Sequence, residues 1–225
     1  MWAIIFVLAG IIFDFFDGFV ARALGVSSPL GIQLDSLSDL VTSGVVPGLV
    51  MYHLIKMSLG HKGVLLLSSV WHKTDAVEIL PNKLNVVALL GLLITLASAY
   101  RLARFNLDED QQNYFKGLPV PANTLLIISL PLILMYQNND FLSKFILNPW
   151  FLIGLTLLSS YLLNSNIKLF ALKFKNFDLK NNLIRYIFLA LCIFSLIFFK
   201  FLGIAIIIFI YITLSLLNQK HISKT

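Results

Sequence analysis

Four aspartates lie close together near the N-terminus of this chain: Asp14 and Asp17 in "DFFDGFVAR", and Asp35 and Asp39 in "GIQLDSLSD". Both pairs adjoin long apolar runs, where an isolated carboxylate is costly. Carboxylate oxygens are the ligands that hard divalent cations such as Mg²⁺ or Mn²⁺ prefer. Zinc is disfavoured, because residues 14–39 contain neither His nor Cys.

The spacing of the first pair puts both carboxylates on one side of a helix. At about 100° per residue, Asp14, Asp17, Gly18 and Ala21 fall within an arc of about 100°. Two of the smallest residues therefore share a face with two carboxylates. This arrangement leaves room for a bulky group to approach the backbone.

The second pair repeats the pattern on the next predicted helix. Gly31, Asp35 and Asp39 fall within about 80° of arc, and eight residues, 23–30, turn the chain between the two helices. Four carboxylates in close quarters repel one another strongly, and divalent cations relieve that repulsion. We therefore expect the four aspartates to converge on one metal-binding cavity. Helix caps and interfacial charges are the alternative for any single aspartate.

Composition indicates that the helices carrying these residues are in a membrane. The chain is 58% hydrophobic and 12% charged, with a mean hydropathy of +0.87, which a soluble domain of 225 residues cannot bury. Long Leu-, Ile- and Phe-rich runs favour helices over a β-barrel. The prediction is an all-α integral membrane protein, a polytopic bundle of about seven transmembrane helices at 1–23, 31–58, 84–105, 119–137, 147–163, 184–199 and 201–217.

The distribution of basic residues predicts an orientation. With strict alternation, eleven of the 17 Lys and Arg residues fall on the side of the 23–30 loop and six on the other. The positive-inside rule then places the aspartate loop in the cytoplasm and the N-terminus outside. An excess of basic residues in cytoplasmic loops explains the net charge of +6. Nucleic-acid binding is disfavoured, because no basic stripe with interleaved aromatic residues occurs.

The aspartate string resembles a known family signature. It reads Asp14-x-x-Asp17-Gly18-x-x-Ala21-Arg22, eight residues, then Gly31-x-x-x-Asp35-x-x-x-Asp39. At every named position it is similar to the signature of the CDP-alcohol phosphatidyltransferases. The resemblance implies that the four aspartates hold a binuclear Mg²⁺ or Mn²⁺ centre over the pyrophosphate of a CDP-linked lipid, with Asp39 also the general base.

The same resemblance gives roles to the other positions of the string. Gly18, Ala21 and Gly31 would make room for the cytidine, and Arg22 would contact phosphate. Residues 1–165 would form the transmembrane core, and 166–225 a C-terminal transmembrane hairpin. Members usually carry a complete helix before the first aspartates, so we expect the start of this chain to be truncated relative to the family.

Further segments resemble the members that use L-serine as the acceptor: "LDSLSDLVTSGVVPG" (34–48), "YRLARFN" (100–106) and "FKGLPVPA" (115–122). This resemblance implies transfer of a phosphatidyl group from CDP-diacylglycerol to L-serine, in a bacterial or archaeal type of cytoplasmic membrane, with a homodimer left open. Arg101, Arg104 and Asn123 are candidates for the acceptor site. The two arginines have helix anchoring at the interface as an equal alternative.

Two other functions stay open. The same chemistry could use glycerol phosphate or inositol phosphate, which would require further basic residues around the acceptor. The aspartates could instead form the transport site of a cation transporter. Transporters usually place such residues at the bilayer midplane, often with internal repeats, and no repeat is seen here, so this alternative is the weaker one.

Overall fold

The computed structural model describes residues 2–25, 28–59, 83–107, 114–170 and 179–217, and most of them are helical. The α-helices are α1 (Trp2–Leu24), α2 (Pro29–Asp39), α3 (Val46–Leu59), α4 (Lys83–Ala88), α5 (Leu93–Leu107), α6 (Val120–Tyr136), α7 (Asp140–Ile146), α8 (Pro149–Asn164) and α9 (Leu179–Leu217). A π-helical segment, Leu40–Val45, joins α2 to α3, and a 3₁₀ turn, Leu89–Leu92, joins α4 to α5.

The turn between α1 and α2 is built from residues suited to helix ends. Gly25 follows α1 with a φ of 63°, the left-handed conformation that glycine adopts without steric cost. Ser28 caps α2, because its Oγ accepts a hydrogen bond from the Gly31 N–H at 3.0 Å. Pro29 occupies the first turn, where its missing N–H removes no helix hydrogen bond. Gly25 and Ser28 thus mark the end of α1 and the start of α2.

The main apolar core is formed by side chains of α3, α6 and α8, among them Met51, Ile55, Ile127 and Leu152, all fully or almost fully buried. The helices approach closely where Gly91 of the 3₁₀ turn meets α3. A Cβ at Gly91 would lie 2.9 Å from the Tyr52 Cα. A side chain there is excluded by backbone atoms, which cannot rotate away as a side chain can.

Two short strands, β1 (Tyr114–Lys116) and β2 (Lys168–Phe170), form an antiparallel pair. Lys116 is the partner of Lys168, and Tyr114 of Phe170. The all-α prediction is wrong for these six residues, because the apolar periodicity that predicts helices carries no signal for three-residue strands that pair over 50 positions apart. The pair ties the loop before α6 to the segment after α8.

The chain reverses direction within α9. Lys200 has a φ of 50°, and the rings of Phe188 and Tyr211 lie 5.7 Å apart between centroids. The Ser195 Oγ also donates to the Gly203 carbonyl at 3.2 Å. In a straight helix, Phe188 and Tyr211 would be separated by about 35 Å, given a rise of about 1.5 Å per residue. The two arms of α9 therefore pack side by side.

By length and composition alone, three helical stretches in the described part of the chain could cross a membrane: Pro29–Leu59, Val86–Leu107 and Arg185–Leu217, the last of which folds back on itself at Lys200. The number rises to four if α7 and α8, which meet at 60°, are counted as one broken span, and α6 is a shorter apolar helix. Large apolar side chains such as Phe13 and Phe198 are exposed, as expected for surfaces in contact with lipid. The molecule is a helical, membrane-associated protein, and the predicted count of seven spans is not confirmed.

Candidate functional site

Three of the four predicted carboxylates come together where α1 faces α2. One carboxylate oxygen from each of Asp14, Asp17 and Asp35 lies within 4.8 Å of the other two. Asp14 is half-buried, whereas Asp17 and Asp35 are exposed. The helical hairpin therefore presents one carboxylate pair to the other, with an open side toward the surface.

Asp39 is half-buried, as Asp14 is. Its carboxyl group approaches that of Asp14 and is within electrostatic range of Asp17 and Asp35. The Oδ1 atoms of Asp14 and Asp39 are both buried without a hydrogen-bond partner. Buried polar atoms normally have partners. Two such atoms in one acidic cluster indicate a site that is completed by a positively charged group.

A divalent cation fits this donor set. The cluster offers only carboxylate oxygens, the preferred ligands of Mg²⁺ and Mn²⁺. Asp14, Asp17 and Asp35 are close enough to share an ion with small side-chain adjustments, and a cation would satisfy the two buried Oδ1 atoms. Asp14, Asp17 and Asp35 are thus an acidic cluster that could hold a divalent metal, and Asp39 lies against it.

The predicted small residues lie on the same hairpin. Gly18 is half-buried and Ala21 is exposed, which leaves the surface of α1 open beyond the carboxylates. Gly31 has an additional local reason to be glycine, since a Cβ there would lie 3.1 Å from the capping Ser28 Oγ. Arg22 belongs to α1, but its side chain lies outside the described part of the structure.

Gly10 is a residue of this site that the sequence analysis missed. A Cβ at Gly10 would lie 3.3 Å from the Thr42 Cγ2, so α1 contacts the π-helical segment there. Gly10 precedes Asp14 by four residues and shares its helix face. This four-residue spacing from Asp14 is the sequence feature that could have identified Gly10. The close contact brings α1 near enough to α2 for the carboxylates to meet.

Asn106 connects the end of α5 to the same hairpin. The Asn106 Nδ2 donates to the Ser36 Oγ at 2.9 Å, and Ser36 directly follows Asp35. The Ser36 Oγ is also 3.1 Å from the Ile32 carbonyl within α2. The position of Asp35 is therefore supported by a polar contact from a different helix.

Arg101 and Arg104 line a polar cleft beside the acidic cluster. The cleft is small, and Arg101 is buried with its Nε lacking a hydrogen-bond partner. The Arg101 guanidinium is within electrostatic range of Asp39, which places one end of the cleft near the carboxylates. The Arg104 Nη2 donates to the Asn166 Oδ1 at 2.9 Å. The lining residues are Arg101, Arg104, Phe105, Lys116, Leu163, Asn164 and Ser165.

Asn123 occupies a different place from the two arginines. It is fully buried, and its Oδ1 accepts a hydrogen bond from the Ser159 hydroxyl of α8. Its Nδ2 is buried without a partner. Asn123 is not one of the described residues that line the cleft. The structure thus joins Asn123 to the α6–α8 interface.

Comparison with known proteins gives a match to one family model. Residues 1–161 match the model of the CDP-alcohol phosphatidyltransferases. The matched range includes all four aspartates and both cleft arginines. It ends before β2 and α9.

Several curated proteins are similar to the chain. A CDP-diacylglycerol–serine O-phosphatidyltransferase of Bacillus subtilis is 29% identical over 166 residues, which is 74% of this chain and 73% of the relative. The Methanocaldococcus jannaschii protein of the same name is 32% identical over 150 residues, 66% of this chain and 57% of the relative. An archaetidylserine synthase of Methanothermobacter thermautotrophicus is 32% identical over 138 residues, 60% of this chain and 48% of the relative. The chain spans about half to three quarters of the length of these relatives.

Proposed function

Because the chain belongs to the CDP-alcohol phosphatidyltransferase family, we propose that it transfers a phosphatidyl group from CDP-diacylglycerol to L-serine. The products are phosphatidylserine and CMP. The observation that carries the proposal is the convergence of Asp14, Asp17 and Asp35, with Asp39 against them, inside the range that matches the family. An acidic cluster beside apolar helices suits a lipid substrate whose reacting part is a pyrophosphate.

In this mechanism the serine hydroxyl oxygen attacks the phosphorus of the phosphatidyl group. The bond from that phosphorus to the oxygen shared with CMP breaks, and CMP leaves with the electron pair. Asp39 takes the hydroxyl proton, since a serine hydroxyl is a poor nucleophile at neutral pH without a base within hydrogen-bond reach. Asp39 suits this role because it lies against the other carboxylates of the cluster and is also near Arg101, a candidate acceptor-site residue.

The four aspartates, Asp14, Asp17, Asp35 and Asp39, would hold one or two divalent cations, Mg²⁺ or Mn²⁺. When bound, such ions neutralise the charge that develops on the pyrophosphate oxygens. Gly18, Ala21 and Gly31 would accept the nucleotide against the helix surfaces, and Arg22 would contact phosphate. The excess of Lys and Arg on the side of the 23–30 loop supports an active site that faces the cytoplasm.

The cleft next to Asp39 supports the choice of acceptor. Arg101 is buried with a free Nε, and a guanidinium binds a carboxylate such as that of serine through paired hydrogen bonds. The printed names of the similar proteins from Bacillus and Methanocaldococcus also specify serine. Serine is therefore the acceptor that the residues and the relatives favour together.

One observation favours a second candidate, a phosphorylated alcohol such as glycerol phosphate or inositol phosphate. Lys116 lines the cleft together with Arg101 and Arg104, so three cationic side chains surround it rather than the two that the sequence indicates. A phosphate group carries more negative charge than a carboxylate and would use all three. The names of the relatives weigh against this candidate.

The test is an acceptor panel. The purified protein in detergent micelles with CDP-diacylglycerol and Mg²⁺ or Mn²⁺ is given L-serine, glycerol 3-phosphate or inositol phosphate, and CMP release is followed. The proposal expects metal-dependent CMP release with L-serine and not with the other two acceptors. The Asp35→Asn control is expected to release no CMP. Release only with a phosphorylated alcohol would establish the second candidate. Absence of release with every acceptor from well-folded protein would contradict the transferase assignment.

A further inference from the structure

The π-helical segment Leu40–Val45 lies directly between Asp39 and the buried part of α3. The Val46 N–H bonds to the Val41 carbonyl, five residues back, instead of the four of an α-helix. A single π turn accommodates one extra residue, so the flanking helices rotate relative to each other by about 100°. The segment therefore sets the direction in which Asp35 and Asp39 face while Met51 and Ile55 stay in the core.

The sequence contains a reason for this irregularity. In an uninterrupted α-helix the Ser43 carbonyl would accept from the N–H of residue 47, which is Pro47 and has none. Pro47 is buried. A helix that contains this proline must therefore find another donor for Ser43 or leave a buried carbonyl unsatisfied, which costs about 1–3 kcal/mol.

The missing donor is supplied by a different helix. The Thr124 Oγ1, on α6, lies 2.7 Å from the Ser43 carbonyl and 2.9 Å from its own Val120 carbonyl. Thr124 is fully buried. On the same segment the Thr95 Oγ1, from α5, donates to the Gly44 carbonyl at 3.0 Å. Two helices that carry no aspartate thus hold the π turn by hydroxyl groups.

Packing at Gly44 adds a steric restraint to these hydrogen bonds. A Cβ at Gly44 would lie 3.1 Å from the Ser98 Cβ and closer still to the Leu40 side chain. The segment is therefore fixed both by α5 and by α6. A shift of the π turn would displace first Asp39, the carboxylate that directly precedes the segment.

We propose that Thr124 is a positioning residue for Asp39: its hydroxyl takes the place of the absent N–H of Pro47 and fixes the π turn that directs Asp39 toward Asp14. This inference rests on the proposed function, because it assigns Thr124 its effect through the base. Thr124 touches neither substrate nor metal in this account.

The test compares two buried threonines. Thr124→Val keeps the shape of the side chain and removes the hydroxyl, and Thr124→Ser keeps the hydroxyl. Thr156→Val is the matched control, because Thr156 is also fully buried but donates to Leu152 of its own helix at 2.8 Å. Serine-dependent CMP release, the KM for CDP-diacylglycerol and the thermal unfolding midpoint are measured for these three variants and the wild type.

Thr124→Val is expected to lower kcat about 10- to 100-fold, the size of effect that a misplacement of about 1 Å produces. The KM for CDP-diacylglycerol changes far less than kcat, because Asp14, Asp17 and Asp35 remain close together, and Thr124→Ser restores kcat. Thr156→Val lowers the unfolding midpoint without this loss of kcat. If Thr124→Val does not fold, Thr95→Val removes the other hydroxyl on the π turn and is expected to give the same split between kcat and KM.

The inference is overturned if Thr124→Val and Thr156→Val have equal kcat values, or if Thr124→Ser is as impaired as Thr124→Val. If Thr124→Val does not fold and Thr95→Val is measured instead, a wild-type kcat of Thr95→Val also overturns the inference. A wild-type protein that releases no CMP with any acceptor would instead overturn the proposed function. The two failures are therefore distinguishable.

Discussion

Replacement of Gly10 by leucine should weaken metal binding without touching any aspartate. A Cβ at position 10 already lies 3.3 Å from the Thr42 Cγ2, closer than the optimal carbon–carbon separation of about 3.5–4.0 Å. Three further carbon atoms must find room between α1 and the π turn. We expect α1 to move away by about 1 Å, because overpacking of this kind is relieved by backbone shifts.

That displacement acts on the distance between the two carboxylate pairs. The oxygens of Asp14, Asp17 and Asp35 are within 4.8 Å of one another, and a Mg²⁺ ion requires ligands at about 2.0–2.1 Å in near-octahedral geometry. Disturbing the groups that orient metal ligands typically costs about 10- to 100-fold in affinity. We expect Gly10→Leu to raise the dissociation constant for Mn²⁺ by about this factor, and Gly10→Ala to have a small effect.

Electron paramagnetic resonance of free Mn²⁺ during titration of the purified protein gives this constant directly. Gly154→Leu is the control, since a Cβ at Gly154 would have nothing within 4 Å and the residue is a helical glycine of α8. The reasoning is refuted if Gly10→Leu, folded by its circular dichroism and thermal midpoint, binds Mn²⁺ as tightly as Gly154→Leu.

Two further predictions concern the nucleotide surface and the core. Ala21→Leu should raise the KM for CDP-diacylglycerol with little change in the unfolding midpoint, because Ala21 is exposed on the carboxylate face of α1; an unchanged KM in Michaelis–Menten measurements on folded protein would argue against that surface as the nucleotide site. Gly91→Ala should destabilise the protein by about 1–3 kcal/mol, the usual cost of overpacking, because the new Cβ would lie 2.9 Å from the Tyr52 Cα. A thermal unfolding midpoint equal to that of the wild type would contradict this contact.

The arrangement of the aspartates could be anticipated because it depends on local geometry. Within one helix, the angle between Asp14 and Asp17, or between Asp35 and Asp39, follows from 3.6 residues per turn. Apolar run lengths likewise indicate membrane helices, although the predicted count of seven is not confirmed. Each of these inferences uses only residues within a few positions of each other.

The parts that sequence reasoning missed depend on contacts between distant residues. Pro47 lacks the N–H that would bond to the Ser43 carbonyl in an α-helix, which explains the π turn. The hydroxyl that replaces this donor belongs to Thr124, 81 positions from Ser43, and no sequence periodicity indicates such a pair. The β1–β2 pair is short, and its strands are separated by more than 50 residues. The contact of Gly10 with Thr42 required knowledge of how α1 crosses the π turn. The position of Lys116 beside Arg101 and Arg104 in the cleft was missed as well, because it also depends on contacts between distant residues.

The central claim, that Asp39 is the base of a metal-dependent phosphatidyl transfer to serine, is tested most directly by the rate of serine-dependent CMP release from Asp39→Asn. The account predicts a loss of about 10²–10⁴-fold, the usual contribution of a general base. Mn²⁺ and CDP-diacylglycerol binding should be largely retained, because three carboxylates remain. Asp17→Asn, measured alongside, should lose metal and lipid binding together. A near-normal turnover of Asp39→Asn at saturating metal and serine would contradict the mechanism.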